Sequence, residues 1–148
     1  MNCKQTGSII AISTSKKKGE KKKNILSACL KENFGIIGDA HAGNWHRQVS
    51  LLAIESINKI IEKGLKVKPG DFAENITTEG IILKDLLIGT KIQIGENILL
   101  EVTQIGKICH SPCAIYYSVG DCVMPKEGIF AKVLQGGEIK TGDKISIL

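Results

Sequence analysis

The scarcest side chains of the sequence lie together in one glycine-flanked stretch. The chain contains one arginine, Arg47, and one tryptophan, Trp45, and two of its three histidines, His41 and His46, lie close by. A guanidinium grips a phosphate or a carboxylate with two parallel hydrogen bonds, which a lysine cannot reproduce. Binding groups usually lie on loops carried by rigid elements, so this stretch predicts an anion-binding site. The alternative is structural: Arg47 pairs with Asp39, and the histidines satisfy backbone groups.

A second cluster joins a thiol to cationic neighbours. Cys109 follows an apolar segment, with Lys107 just before it and His110 just after it. Such neighbours lower the pKa of a thiol and expose the thiolate, which is the form that accepts sulfur or ligates a metal. Cys109 is therefore the candidate catalytic residue, and an inert buried thiol is the alternative.

The same cluster also allows a zinc site. Cys109, His110, Cys113 and Cys122 could supply four ligands. Structural zinc sites usually use two CxxC-like pairs, which this spacing does not reproduce, so zinc is the weaker interpretation.

A third polar stretch, residues 69–80, places Asp71, Glu74 and Asn75 between glycines. The amide of Asn75 donates and accepts hydrogen bonds at once, which suits the amide-like edge of a pterin. Asp and Asn beside glycine also simply form turns, and that is the alternative.

Length and cysteine content bound the class of protein. A chain of 148 residues predicts a single domain over residues 1–148. Five cysteines, an odd number, and the absence of an apolar signal stretch predict reduced thiols and a cytoplasmic location. No apolar run approaches the roughly 20 residues of a membrane helix, so we expect no membrane span.

The net charge of +5 comes entirely from residues 16–23, which hold six lysines and one glutamate. We predict that this lysine tract is a solvated tip between two strands; contact with a nucleic acid or an anionic partner protein is the alternative. No aromatic residue is interleaved for stacking on bases, so nucleic acid is not an expected partner.

The elements that must position these residues are mostly strands. Short β-branched segments closed by glycines predict strands at residues 8–13, 48–52, 91–94, 98–104, 129–134 and 144–147. Residues 53–63 carry the apolar stripe of an amphipathic helix, with Gly64 at its end, and residues 112–120 are a candidate second short helix. This pattern predicts a mainly β or α+β fold, in which a closed barrel would protect the sheet edges and Phe130 belongs to the core.

Taken in order, these segments resemble the MOSC family, the domain found at the C-terminus of molybdenum cofactor sulfurases and as small stand-alone bacterial proteins. The matching stretches are GIIGDAHAG (35–43), HRQVSLLAIESI (46–57), PGDFAENITTEGI (69–81), LEVTQIGKICH (100–110) and PKEGIFAKVLQGGEIKTGD (125–143). The resemblance implies a closed or partly open β-barrel with one or two short peripheral helices. It also implies a molybdopterin-type cofactor and places Cys109 where relatives carry sulfur or ligate molybdenum.

On this basis the function expected is that of a molybdenum-cofactor-binding sulfur carrier or sulfur-insertion module. The candidate cofactor-binding residues are Asp39, His41, His46, Arg47, Asn75 and Lys126. Larger members have a preceding pyridoxal-phosphate domain, which we do not find here, so a separate sulfur donor such as a cysteine desulfurase is expected. Cofactor biosynthesis proteins or client molybdoenzymes are the other expected partners. The alternatives are a molybdenum-dependent reductase of N-hydroxylated compounds with a separate electron donor, and a cofactor carrier or storage protein.

Overall fold

Isoleucine, valine and threonine, which favour extended backbone, are frequent in the segments that form strands. The computed structural model describes residues 5–18, 20–106 and 127–148. The strands in these residues are β1 (Thr6–Thr14), β2 (Lys23–Ile25), β3 (Ser27–Lys31), β4 (Gly35–Ile36), β5 (Val49–Ala53), β6 (Ile76–Glu79), β7 (Lys91–Ile94), β8 (Ile98–Ile105), β9 (Ile129–Gln135), β10 (Gly137–Lys140) and β11 (Lys144–Ile147). They are joined by one α-helix, α1 (Ile54–Glu62), and a 3-10 turn at Leu83–Asp85.

Seven of the strands close into a barrel. The order β11-β7-β8-β9-β5-β6-β1 is completed by pairing between β1 and β11, and β2 adds to β1 outside the ring. The pairs are antiparallel except for β5 and β6, whose parallel pairing is reached through the crossover helix α1. Strands β10, β3 and β4 form a separate three-stranded sheet. Closure removes the exposed edges of the large sheet and confirms the predicted mainly β, barrel-type fold.

Two apolar clusters stabilise this arrangement. The barrel interior is filled mainly by isoleucine, leucine and valine, including Ile12, Leu51, Ile76 and Leu100, each fully buried. A smaller cluster lies under α1 and contains Leu52, Ile57, Ile60, Phe72 and Phe130. The second cluster confirms Phe130 as a core residue and fixes α1 against the barrel wall.

The sequence located the longer elements correctly. Each of the six predicted strands is present, and α1 lies within one residue of the predicted helix at both ends. Gly64 has a φ of 97° and its amide donates to the carbonyl of Ile61, so it ends the helix as expected. The candidate helix at residues 112–120 lies outside the described residues. No helix in the described part of the chain is long and apolar enough to span a membrane.

Candidate functional site

The carboxylate of Asp39 is the polar centre of the loop between β4 and β5. Its side chain is fully buried. Oδ1 accepts hydrogen bonds from Lys22 Nζ at 2.8 Å and from the Ser15 amide at 3.1 Å, and Oδ2 accepts from the His41 amide at 3.0 Å. Burial raises the pKa of Asp39, but the hydrogen bond and charge of Lys22, with the two amides, outweigh burial and lower the pKa below its usual value.

Lys22 departs from the prediction for the lysine tract. Lys16, Lys17, Lys18, Lys21 and Lys23 are exposed as expected of a solvated tip. The side chain of Lys22 is instead fully buried, because the tract folds back over Asp39 and forms a buried ion pair. The solvated-tip prediction is therefore wrong for Lys22, and the lysine tract contributes directly to the candidate site.

The ring of His41 lies against the same pair. Lys22 Nζ is 3.0 Å from His41 Nδ1, and the imidazole side chain is about one-fifth exposed. The carbonyl of His41 accepts a 2.7 Å hydrogen bond from the indole N–H of Trp45. Asp39, His41 and Trp45 are therefore linked by consecutive hydrogen bonds.

Arg47 packs on aromatic rings. Its guanidinium carbon is 4.6 Å from the centroid of Trp45 and 5.6 Å from that of Phe130. Lys18 Nζ is 4.5 Å from the same Trp45 ring. Two cations, Lys18 and Arg47, therefore contact the Trp45 ring. The electronegative face of the ring attracts both of them.

The structural alternative for Arg47 does not hold, since Asp39 pairs with Lys22 instead. Within residues 5–18, 20–106 and 127–148, neither Arg47 nor Lys18 has a carboxylate at ion-pair distance. The Arg47 Nε is buried and finds no acceptor among these residues. Two cations without a described counter-charge, one with an unsatisfied donor, are suited to an anionic ligand.

His46 connects this loop to the end of β8. Gln104 Nε2 donates to the Gly106 carbonyl at 2.8 Å, so its Oε1 is the acceptor for His46 Nε2, at 2.9 Å. The hydroxyl of Thr103 donates to the His46 carbonyl. Hydrogen bonds therefore join the loop that carries Arg47 to β8, the strand that precedes Cys109 in the sequence.

Asn75 lies in the protein interior, where its side chain binds backbone groups of neighbouring strands. The residue is fully buried. Its Oδ1 accepts from the Ser50 amide at 3.0 Å, and its Nδ2 donates to the Ser13 carbonyl at 3.1 Å. The structure does not bring the Asn75 side chain to the Trp45 cluster. It uses the amide to join β5, β6 and β1.

Glu74, beside Asn75, is also fully buried. Its carboxylate accepts from the Phe72 amide at 3.3 Å and from the Thr77 hydroxyl at 3.0 Å. Burial raises the pKa of Glu74, and the hydrogen bonds from the Gly70, Glu74 and Phe72 amides and the Thr77 hydroxyl offset burial only in part.

The remaining candidate residues cannot be placed. Cys109, Lys126 and the possible zinc ligands His110, Cys113 and Cys122 lie outside the described residues. In the residues that are described, no group of three or more His, Cys, Asp or Glu side chains is arranged to hold a metal ion.

Three contributors to the site carried no distinctive sequence signal. Ser15 and Lys22 were hidden in a polar, lysine-rich stretch. Phe130 was assigned only to the core, although its ring also contacts Arg47. A cavity of about 360 Å³ lies elsewhere, between α1 and residues 80–84, and none of the candidate residues that the structure describes lines it.

Comparisons with known proteins agree with this architecture. The model of the MOSC domain family matches residues 38–146. The chain is similar in structure to the YuaD protein from Bacillus subtilis, with a TM-score of 0.83, 21% identity, and coverage of 99% of this chain and 98% of that one. It is also similar to YiiM from Geobacillus stearothermophilus, with a TM-score of 0.67, 19% identity, and coverage of 96% and 75%. YiiM from Escherichia coli gives a TM-score of 0.64, 18% identity, and coverage of 95% and 69%. No curated protein matches the chain.

Proposed function

Because the chain belongs to the MOSC domain family, which is known for binding the molybdenum cofactor, we propose that it binds a molybdenum–pterin cofactor and carries sulfur on Cys109. The observation that carries the proposal is the cation cluster on Trp45, formed by Lys18 and Arg47. We propose the cytoplasm as its location.

The described residues fit the anionic end of such a cofactor. A phosphate monoester carries more than one negative charge and several acceptor oxygens, which require cations and N–H donors. Arg47 and Lys18 supply charge without a described carboxylate partner, and the unsatisfied Nε of Arg47 supplies a donor. The side chain of Arg47 would grip the phosphate, while His41 and His46 would flank it.

Asp39 has a supporting role in this proposal. A buried carboxylate close to a phosphate would repel it, unless its charge is offset. The ammonium of Lys22 offsets that charge at 2.8 Å. Asp39 would therefore shape the loop and would not contact the cofactor, whereas Lys126 remains a candidate contact.

Cys109 would carry the sulfur. It follows the last residue of β8, Ile105, by four positions, so its Cα lies at most about 14 Å from that of Ile105. The contact between Gln104 and His46 joins this end of β8 to the loop of Arg47. We therefore propose that the thiol acts on the same cofactor that the cation cluster binds.

The sulfur-loading step balances with a persulfide donor such as a cysteine desulfurase. The Cys109 thiolate attacks the outer sulfur of the donor persulfide, a new S–S bond forms on Cys109, and the donor cysteine leaves as a thiolate. The bound cofactor would supply a molybdenum atom as the destination of that sulfur. The chain itself would bind the cofactor and hold the persulfide.

The test uses protein prepared without oxygen and incubated with molybdenum cofactor released from a molybdoenzyme, with pterin fluorescence as the binding signal. Sulfur loading is mapped by mass spectrometry after treatment with a persulfide donor. The background is Cys29→Ser, because the free thiol of Cys29 is exposed and would compete. We expect cofactor binding and sulfur on Cys109, and we expect Cys109→Ser to keep binding and lose loading.

Two outcomes would contradict the sulfur-carrier role of Cys109. Binding without sulfur on any cysteine would indicate a storage or carrier protein, and sulfur on Cys113 or Cys122 in the Cys109→Ser variant would move the carrier role to that residue. Absence of cofactor binding would reject the proposal as a whole.

A further inference from the structure

Lys22 is the one buried cation of the lysine tract and uses all of its hydrogen-bonding capacity. An ammonium has three N–H donors and no acceptor. The described acceptors around Lys22 Nζ are also three: Asp39 Oδ1 at 2.8 Å, Ser15 Oγ at 3.0 Å and His41 Nδ1 at 3.0 Å. The Ser15 hydroxyl donates its own proton to the Lys17 carbonyl, so its lone pair is available to Lys22.

This arrangement fixes the proton of the His41 ring. Because Lys22 can only donate, His41 Nδ1 must accept, and a nitrogen that accepts carries no proton. A neutral imidazole has one N–H group, so the proton lies on Nε2. His41 is therefore a neutral donor at the nitrogen farther from Lys22.

We propose that Lys22 is a positioning residue that holds His41 in the Nε2–H tautomer and thereby organises the loop for an anionic ligand. This inference rests on the proposed anion-binding function of the same loop. A neutral His41 ring leaves the Asp39 carboxylate to Lys22, whereas an imidazolium would compete with Lys22 for that carboxylate.

Lys22 reaches the cation cluster through a continuous set of contacts. Its partner Asp39 binds the His41 amide, and the His41 carbonyl binds the indole of Trp45. The Trp45 ring in turn packs against the guanidinium of Arg47. Loss of Lys22 leaves Asp39 as a buried, uncompensated charge and releases the first link in this series.

The main experiment reads the tautomer directly. In protein labelled with ¹⁵N, long-range ¹H–¹⁵N spectra at pH 7.5 distinguish a protonated from an unprotonated ring nitrogen. We expect wild-type His41 to show an unprotonated Nδ1 and a protonated Nε2. In Lys22→Met, His41 Nδ1 still faces Asp39 Oδ2, 3.8 Å away. We therefore expect the proton to move to Nδ1.

Lys21→Met is the matched control, since it removes the same charge from an exposed position of the same tract. It should leave the His41 spectrum unchanged. A titration with inorganic phosphate gives the second measurement: Lys22→Met should weaken binding about tenfold, and Lys21→Met by less than twofold.

The outcomes separate this inference from the proposed function. A protonated Nδ1 in the wild-type protein overturns the role of Lys22, even where the cofactor binds, and this result needs no variant that must fold. An unchanged tautomer or equal phosphate affinity in folded Lys22→Met also overturns it. Failure of the cofactor to bind rejects the proposed function while leaving the tautomer of His41 as measured.

Discussion

The guanidinium of Arg47 lies over the rings of Trp45 and Phe130, with its carbon 4.6 Å and 5.6 Å from their centroids. Ring faces attract the cation but do not occupy its N–H groups, which lie in the guanidinium plane. The residue can therefore be held in place by aromatic contacts and still bind an anion through its edge. A lysine at this position would keep the charge and lose both the stacking and the fork.

We expect Arg47→Lys to weaken cofactor binding by about tenfold or more, because loss of a bidentate contact costs about 1.4 kcal/mol or above. Fluorescence titration of the folded variant provides the measurement. Lys31→Met is the control, since it removes a cation that packs on Phe34 and that we do not place in the site. Equal affinities for wild type and Arg47→Lys would exclude Arg47 from the anion site.

The residues of the site differ in how clearly the sequence marks them. The rarity of Arg47, Trp45 and His41 was visible in the sequence, and the structure shows that Trp45 contacts both Arg47 and His41. Nothing in the sequence distinguishes Lys22 from its neighbouring lysines. Its partner Asp39 is 17 positions away, and only the fold brings the two together.

The turn before β6 holds the backbone of the lysine tract. The amide of Lys22 donates to the Gly70 carbonyl at 2.9 Å, and Asn24 Nδ2 donates to the Pro69 carbonyl at 2.8 Å. Gly70 has a φ of 97°, and a Cβ there would lie 2.4 Å from the Lys22 carbonyl oxygen. The stretch at residues 69–80 thus acts on the site by holding the backbone of Lys22.

Gly70→Ala should therefore lower the free energy of unfolding by more than backbone strain alone would. Gly64 provides a matched control, because its φ is also 97° but a Cβ there meets no atom within 4 Å. We expect Gly64→Ala to lose about 1–2 kcal/mol of unfolding free energy from the left-handed conformation. Gly70→Ala should lose clearly more, and should also weaken phosphate binding, since the Lys22 carbonyl must move.

Urea unfolding of both variants measures the two costs, and the phosphate titration measures the effect on the site. Equal losses of stability in Gly70→Ala and Gly64→Ala would show that the close approach to Lys22 has no energetic consequence.

Asn75 shows why the elements of the site were harder to predict than the strands. Alternation of apolar residues is a local signal, and it located six strands and α1. The partners of the Asn75 amide lie 25 and 62 positions away, on β5 and β1. Local chemistry gave no sign that these backbone groups would occupy its donor and acceptor.

The residues on either side of the segment that carries Cys109 are held in place by hydrogen bonds. The Gly106 amide donates to the Gly128 carbonyl at 2.6 Å, which brings these ends together. Glu127 is fastened to α1 by the Ser56 hydroxyl at 2.6 Å and by Lys59 Nζ at 2.9 Å. The described residues at the two ends of this segment are therefore held by contacts within the barrel and with α1.

Two buried carboxylates make opposite contributions to the way the stability of the whole protein depends on pH. The pKa of Asp39 is lowered by Lys22 despite burial, so Asp39 contributes stability above its unfolded pKa of about 3.8, and that stability is lost as the pH falls. The pKa of Glu74 is raised by burial above about 4.5. The folded protein therefore retains the Glu74 proton where the unfolded chain has released it.

The consequence of the Glu74 shift is a loss of stability as the pH rises. Between the unfolded pKa and the higher folded pKa, the folded state binds more protons than the unfolded state, so the free energy of unfolding falls with increasing pH. Glu74→Gln removes this ionisation. The glutamine oxygen can still accept from the Phe72 amide, and its NH₂ can donate to the Thr77 hydroxyl, so the substitution removes the charge but retains hydrogen-bonding groups.

We expect the stability of Glu74→Gln relative to wild type to increase as the pH rises from 4.5 toward 9, measured by urea unfolding at intervals across that range. Asp39 is present in both proteins, so its opposite contribution cancels in the difference. Glu96→Gln serves as the control, because Glu96 is exposed and its substitution should shift stability by less than about 0.5 kcal/mol at any pH. A difference between Glu74→Gln and wild type that stays constant or declines with pH would show that the folded protein does not retain the Glu74 proton.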